Sequence, residues 1–259
     1  METIRIDIDD RGVATLTLAR SEKHNALSAQ MMDELTEAAR NLGADPAVRV
    51  VILAAEGASF CAGGDLGWMR AQFDTDAAGR GVEARRLANM LRALNEMPKP
   101  LSGRVHGNAF GGGVGMACVC DIAIAAATAL FGLTETRLGL IPATIGPYVL
   151  ARMGEAMARR VFMSSRRFGA DEAITLGIVA KSVAADDLDA AVEAEVAPYL
   201  SCAPGAVAEA KALARRLGPP INDQVIDDTI AALAQRWESS EAVEGIGAFF
   251  DKRKPQWQS

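Results

Sequence analysis

Histidine is almost missing from this sequence: His24 and His106 are the only two among 259 residues. With so few imidazoles, and with Cys118-x-Cys120 spaced wrongly for a zinc knuckle, no metal-binding set can be assembled, so no metal is expected. Basic charge is outweighed as well, 27 Lys and Arg against 33 Asp and Glu, for a formal net charge of -6. That balance argues against a nucleic-acid partner, which requires a clustered cationic surface. No stretch approaches 18 clean apolar residues, so no membrane span is expected. The opening Met1-Glu2-Thr3-Ile4-Arg5-Ile6-Asp7 lacks the basic start and apolar run of a signal peptide, which predicts a cytoplasmic protein. Its four cysteines, Cys61, Cys118, Cys120 and Cys202, would then remain thiols.

What is present is apolar material: half of the residues are hydrophobic, enough for one large core, although length alone leaves two domains open. Ile4 to Ile8 and Val13 to Leu18 alternate around the turn-rich Asp9-Asp10-Arg11-Gly12 and read as a β-hairpin. Ser28 offers an N-cap for a helix carrying Met31, Met32, Leu35, Ala38, Ala39 and Leu42, with Gly43 as its stop. Val48 to Ala54 suits a fully buried strand. Leu101 to Val105 and Ile122 to Ala126 read as further strands, with a helix starting at 112 and helical spacing over 80–96. The polar, Gly- and Asp-rich Gln72 to Gly81 reads as a mobile surface loop near the substrate entrance. Beyond residue 144 the pattern turns helical, broken at Ile178 to Val183. Asp186 or Asp187 can cap a helix to Leu200, Pro204 suits a first turn, and Ile221 to Arg236 and Ala242 to Lys252 supply two more helices. The recurring strand-strand-helix rhythm points to an α/β spiral of similar units with a helical appendage.

Two glycine turns stand out. Ser59-Phe60-Cys61-Ala62-Gly63-Gly64-Asp65-Leu66 follows a buried strand; its small residues admit close approach to the backbone, Asp65 can cap the next helix, and the Gly64 N–H would face open space. A plain tight turn is the competing reading. Val105-His106-Gly107-Asn108-Ala109-Phe110-Gly111-Gly112-Gly113-Val114-Gly115 brings three bare residues to a helix N-terminus, where free N–H groups and the dipole attract negative charge. A dinucleotide fingerprint is excluded because no glycines satisfy G-x-G-x-x-G, and a P-loop because no Gly-Lys-Ser/Thr follows. Together the turns supply what a carbonyl needs on becoming an enolate, two fixed donors for one oxygen. The proton carrier that such chemistry requires is Glu135, alone in the apolar Leu130 to Pro142 stretch; a surface Glu paired with Arg137 is the bland alternative.

Phe60-Cys61-Ala62-Gly63-Gly64-Asp65-Leu66, Val105 to Gly113, Glu135 before Leu138-Gly139-Leu140-Ile141-Pro142, and the terminal Phe250-Asp251-Lys252-Arg253-Lys254-Pro255 closely resemble the enoyl-CoA hydratase/isomerase (crotonase) family. The resemblance runs through essentially the whole chain. It implies a spiral core of ββα units over residues 1–200 and a C-terminal helical region, 201–259, that builds trimers or dimers of trimers. It implies a coenzyme A thioester as substrate, no cofactor, and an oxyanion hole at Gly64 and Gly112. Gly64, Asp65, Leu66 and Gly67 would follow the thioester and pantetheine, Ala62 and Trp68 would be further substrate contacts, Lys23 to Ala26 would lie near the adenine end, and Lys252 near the CoA phosphates. Gly67 stands where hydratases often carry a Lys. The larger departure is Gly115, where two-acid hydratases carry a second Glu; room for a substrate branch or a water, and tight helix packing, both account for it.

With one acid kept, the resemblance points to hydration of a branched 2-enoyl-CoA of the 3-methylglutaconyl-CoA type, in leucine degradation. A Δ3,Δ2-enoyl-CoA isomerase using Glu135 alone is the alternative, and a non-catalytic binding protein a third reading. A glutaconyl carboxylate needs a cation, for which Arg70, Arg137 and Arg152 are the candidates. His106 reads as a structural, hydrogen-bonded residue, Asp121 as a helix-to-strand boundary, and Trp68 and Met69 as pocket lining or ordinary core.

Overall fold

The structure, a computed structural model, describes residues 1–258. The hairpin forms as its alternation predicts: β1 (Ile4–Ile8) pairs antiparallel with β2 (Val13–Leu18), Ile4 facing Leu18. The Ser28 hydroxyl accepts from the Met31 N–H at 3.2 Å and starts α1 (Ala29–Ala44), which buries Met31, Met32, Leu35, Ala38, Ala39 and Leu42. Gly43 does not stop this helix. It lies in the last turn, where a Cβ would stand 3.0 Å from Pro98 Cδ, so the glycine serves packing rather than termination.

The chain continues through β3 (Val50–Ala55), β4 (Ser59–Cys61), α2 (Leu66–Ala71) and α3 (Ala77–Glu96). The expected loop is shorter than Gln72 to Gly81: the Asp76 carboxylate accepts from the Gly79 N–H at 2.8 Å and opens α3 at Ala77. That cap and the buried Ala84, Ala88, Leu91 and Leu94 outweigh the poor helix propensity of Gly79 and Gly81. Next come β5 (Leu101–Val105), β6 (Asn108–Phe110), α4 (Gly112–Val119), β7 (Ile122–Ala126) and β8 (Leu130–Gly132). They are followed by a single 3-10 turn, Glu135–Leu138, then α5 (Gly146–Phe162), β9 (Phe168–Gly169), α6 (Ala170–Thr175) and β10 (Lys181–Val183).

Two sheets result, a six-stranded one in the order β1-β2-β3-β5-β7-β10 and a four-stranded one in the order β4-β6-β8-β9. Beyond the hairpin the large sheet is parallel, as are β4, β6 and β8 in the small one. Each repeat therefore places its longer strand in the large sheet and its short strand in the small sheet, then turns into a helix. The carboxyl ends of β4, β6 and β8 consequently lie side by side, one inter-strand spacing of about 4.8 Å apart. Helix α4 runs through the middle of the molecule with all eight residues buried. A Cβ on its Gly113 would stand 2.5 Å from the Cys61 carbonyl oxygen, so only glycine lets the helix approach β4 this closely.

Helix α7 (Leu188–Leu200) packs on the large sheet, with Leu188, Val192 and Val196 against Val13, Val50 and Ile124, and the helical appendage beyond it is α8 (Pro204–Leu217), α9 (Asp223–Trp237) and α10 (Ser240–Phe250). Asp187 occupies the cap position of α7, but its carboxylate accepts no capping hydrogen bond there. Pro204 is the first residue of α8, where its missing N–H is harmless. Helix α10 folds back on the 3-10 turn, Ala242 and Ile246 packing with Leu140, which brings the end of the chain over the ends of the small-sheet strands.

Candidate active site

The two glycine turns leave β4 and β6 and touch each other. Gly63 (φ +97°) and Gly111 (φ +48°) adopt left-handed backbone, which a side chain would strain. A Cβ on Gly63 would lie 3.2 Å from the Phe110 carbonyl oxygen, and one on Gly111 would lie 3.8 Å from Gly63 Cα. Neighbouring peptide groups are consumed in holding this contact: the Leu27 N–H donates to Gly63 O at 2.8 Å, Asp65 N–H to Leu27 O at 3.0 Å, and Gly111 N–H to Gly132 O at 2.9 Å. Among the described residues, the N–H groups of Gly64 and Gly112 have no protein acceptor. Gly112 is the first residue of α4, so its N–H also carries the positive end of the helix dipole.

Glu135 follows β8 at the equivalent place. A Cβ on Gly111 would stand 3.1 Å from Glu135 Oε1, which sets the carboxyl against the second glycine turn. Oε2 is enclosed and has no hydrogen-bond partner. Burial pushes the carboxyl up to about 7, against the backbone N–H groups of Glu135 and Thr134, which pull it down. A carboxyl titrating there exchanges protons readily near neutral pH. Arg137 does not neutralise it: among the described residues the two form no ion pair, and the Arg137 side chain is exposed.

All three groups open on one cavity of about 340 Å³. Its walls are mainly apolar and include the expected Ala62, Leu66 and Trp68 along with Met69, Leu138 and Ile141. Trp68 is held by its indole N–H, which donates to Glu83 Oε2 at 2.7 Å. Thr144 and Ile145 also line it, and several wall residues carried no local signal: Arg167, and Leu233, Trp237 and Phe249 from the C-terminal helices. The last three reach the site only because α9 and α10 fold back. Arg167 stacks over the Phe110 ring, 5.1 Å from its centroid. The Ser165 hydroxyl accepts from the Arg137 N–H at 3.0 Å and bonds the Thr136 hydroxyl at 2.6 Å, tying the Glu135–Leu138 turn to the segment bearing Arg167. Both Arg137 and Arg167 thus edge the cavity, and neither has a carboxylate partner among the described residues.

Other candidates lie elsewhere. Lys23, Ala26, Asp65, Gly67 and Lys252 are not part of the cavity wall. Asp65 holds the first turn instead: its carboxylate caps α2 through the Gly67 and Trp68 N–H groups at 2.8 and 3.0 Å. It also pairs with Arg20 at 3.1 Å. Burial opposes its ionisation, yet these donors keep its pKa below the usual value. Arg20 also reaches the Ala26 carbonyl at 2.8 Å. Arg70 stacks on Phe250, and Arg152 donates to the carbonyls of Cys118, Cys120 and Asp121, so neither cation faces the cavity. His106 bonds the Gly57 carbonyl at 2.8 Å, in keeping with a structural histidine. Asp121 joins α4 to β7 and accepts from Leu101 N–H and Lys211, at 2.8 and 2.7 Å. At Gly115 no space is left for a substrate branch or a water. A Cβ there would stand 2.7 Å from Ile145 Cγ2, so close helix packing is the reason for the glycine.

The arrangement has relatives. A family model described as enoyl-CoA hydratase/isomerase matches residues 9–259. An enoyl-CoA hydratase of Alternaria alternata is 32% identical over 254 residues, covering 95% of this chain and 81% of that protein. Among solved structures, an enoyl-CoA hydratase from Shewanella pealeana is similar at 39% identity and a TM-score of 0.81, over 98% of this chain and 96% of its own. Another from Mycobacterium avium, 31% identical, has a TM-score of 0.86 with 99% of each chain covered.

Proposed function

This chain belongs to the enoyl-CoA hydratase/isomerase family, and from that premise we propose that it reversibly hydrates a branched 2-enoyl-CoA of the 3-methylglutaconyl-CoA type. The observation that carries the reading is the meeting of one buried carboxyl, Glu135, with two unpaired N–H groups, Gly64 and Gly112, at one cavity. In this mechanism the thioester oxygen accepts from both N–H groups, which strengthen their hold as the oxygen gains charge. The ionised Glu135 takes a proton from water while the water oxygen bonds to Cβ. The Cα=Cβ electron pair moves into the thioester as an enolate. Glu135 then gives the proton to Cα, and the carboxylate is restored. The branch and terminal carboxylate of the acyl group suit an apolar cavity edged by two unpaired cations, Arg137 and Arg167. Lys23, Ala26 and Lys252 remain proposed contacts for the CoA end.

A Δ3,Δ2-isomerase is the second reading, and Ile145 favours it. The side chain that fills the place of a second acid is apolar, and moving a proton from C2 to C4 needs one carboxylate and no water. Assays with 3-methylglutaconyl-CoA, crotonyl-CoA and a 3-enoyl-CoA separate the two. The hydratase reading expects the highest kcat/KM for water addition to the branched ester; conversion of the 3-enoyl ester with no water addition to either 2-enoyl ester overturns it. Arg137→Gln and Arg167→Gln should raise KM for the carboxylated ester and leave KM for crotonyl-CoA unchanged.

A homotrimer or a dimer of trimers goes with this assignment. Leu150, Met157, Met163 and Ile174 remain exposed on the single chain, as apolar surface awaiting a partner copy would. Light scattering on the purified protein should give three or six times the mass of one chain. No described helix is long and apolar enough to cross a membrane.

A further inference from the structure

The second contact of the reacting water is unassigned in the hydratase reading, on which the following inference rests. Among the described residues, Glu135 is the only carboxyl in the cavity wall. A water held by one carboxylate oxygen can take its proton transfer partner but is free to pivot, and reaction requires its lone pair aimed at Cβ. Position 115 cannot supply the second contact, because Ile145 occupies that space. The residue before it can. Thr144 is only 5% exposed, lines the same cavity, and its hydroxyl is buried without a hydrogen-bond partner. Glu135 Oε2 is in the same condition. An enclosed, unpaired polar atom is costly, and two of them on residues that line one cavity are best explained by a shared polar guest. Trp68, by contrast, has its N–H satisfied by Glu83, and the Thr134 hydroxyl is not among the buried unpaired atoms.

We propose that the Thr144 hydroxyl and the Glu135 carboxylate together hold the water that adds to the enoyl thioester. Thr144 Oγ1 accepts one O–H of that water, and Glu135 accepts the other. As the water oxygen bonds to Cβ, the proton facing Glu135 passes to its carboxylate, the Cα=Cβ pair becomes the enolate under Gly64 and Gly112, and Glu135 returns the proton to Cα. Thr144 gains and loses no proton. Its contribution therefore belongs to water addition and not to proton movement at Cα, which separates it from Glu135.

The test compares two reactions of the full-length enzyme. One is hydration of a 2-enoyl-CoA; the other is exchange of the Cα protons of butyryl-CoA in deuterium oxide, which uses Glu135 and both N–H groups but adds no water. Thr144→Val should lower hydration about tenfold more than it lowers exchange, the scale of one lost hydrogen bond, and Thr144→Ser should recover most of that difference. Equal hydration by Thr144→Val and the parent enzyme, or equal loss of hydration and exchange, overturns the role of Thr144 while leaving the hydratase reading intact. A parent enzyme that exchanges Cα protons but hydrates none of the enoyl esters overturns that reading, and this inference with it. Thermal melts of both variants check that the fold is retained.

Discussion

A Cβ on Gly115 would meet the Ile145 Cγ2 methyl at 2.7 Å and its Cβ at 3.1 Å, so the space beside this turn of α4 belongs to Ile145. Where a two-acid enzyme would set a second carboxylate, this protein sets an aliphatic group. Gly115→Ala should therefore destabilise the protein despite the better helix propensity of Ala. Overpacking typically costs about 1–3 kcal/mol, against roughly 0.8–1 kcal/mol gained from propensity. Adding Ile145→Ala should relieve the clash, so denaturant titrations of the single and double variants should show a favourable coupling; strict additivity would contradict the packing account.

The raised pKa of Glu135 fixes the direction of the pH profile. The reactive form is the carboxylate whether the first proton comes from water or from substrate carbon. kcat/KM should accordingly rise with pH through about 7 and level off above it. Glu135→Gln should lower turnover by about 10²–10⁴-fold and abolish the rise, with CoA-ester binding retained in titration calorimetry. A profile flat from about pH 5 to about pH 9 in the parent enzyme would remove Glu135 from the proton path.

The same carboxyl burdens the fold. Its value of about 7 lies above the ordinary 4.5, so the folded state binds this proton more tightly than the unfolded chain does. The associated stability is fully present below pH 4.5 and is lost as pH rises through 7. Ionising it in place costs up to roughly 3 kcal/mol, the equivalent of that pKa difference. Glu135→Gln, which stays neutral, should raise Tm by several degrees at pH 8 and by far less at pH 5. Calorimetry at the two pH values checks the difference; equal shifts would contradict the linkage.

Gly112 allows its N–H to be removed with little else. As the first residue of α4 it occupies the one helix position where proline is well tolerated. Either Ala or Pro would press on the Leu27 Cδ1 methyl, 2.6 Å from a Cβ there, so Gly112→Ala is the steric control. Gly112→Pro should lose about 10²–10³-fold more in kcat than Gly112→Ala, the scale of one oxyanion donor. Comparable losses in both variants would assign the effect to crowding by Leu27.

Much of the fold was legible because its signals are local. The alternating hairpin, the Ser28 cap, the apolar runs of the parallel strands and Pro204 at the start of α8 each depend on a few adjacent residues. The failures were also local: Gly43 and the Gly79–Gly81 stretch look like breakers until Pro98 and the Asp76 cap are seen beside them. Family likeness singled out Gly64, Gly112 and Glu135 as candidates, because each sits in a short stretch with its own pattern.

Along the chain there is an inventory: two glycine turns after buried strands, one acid in an apolar stretch, and no second acid at position 115. How these parts combine depends on contacts between residues far apart in the chain. The ends of β4, β6 and β8 are neighbours because each repeat gives its short strand to the same small sheet, and that adjacency turns residues 64, 112 and 135 into one site. Arg152 was among the cations expected at a substrate carboxylate and Arg167 was not, yet Arg152 holds the carbonyls at the end of α4 and Arg167 edges the cavity. The space at Gly115 likewise could not be assigned from a glycine alone, since an absent side chain is equally compatible with a guest and with a neighbour. Close packing gave it to Ile145.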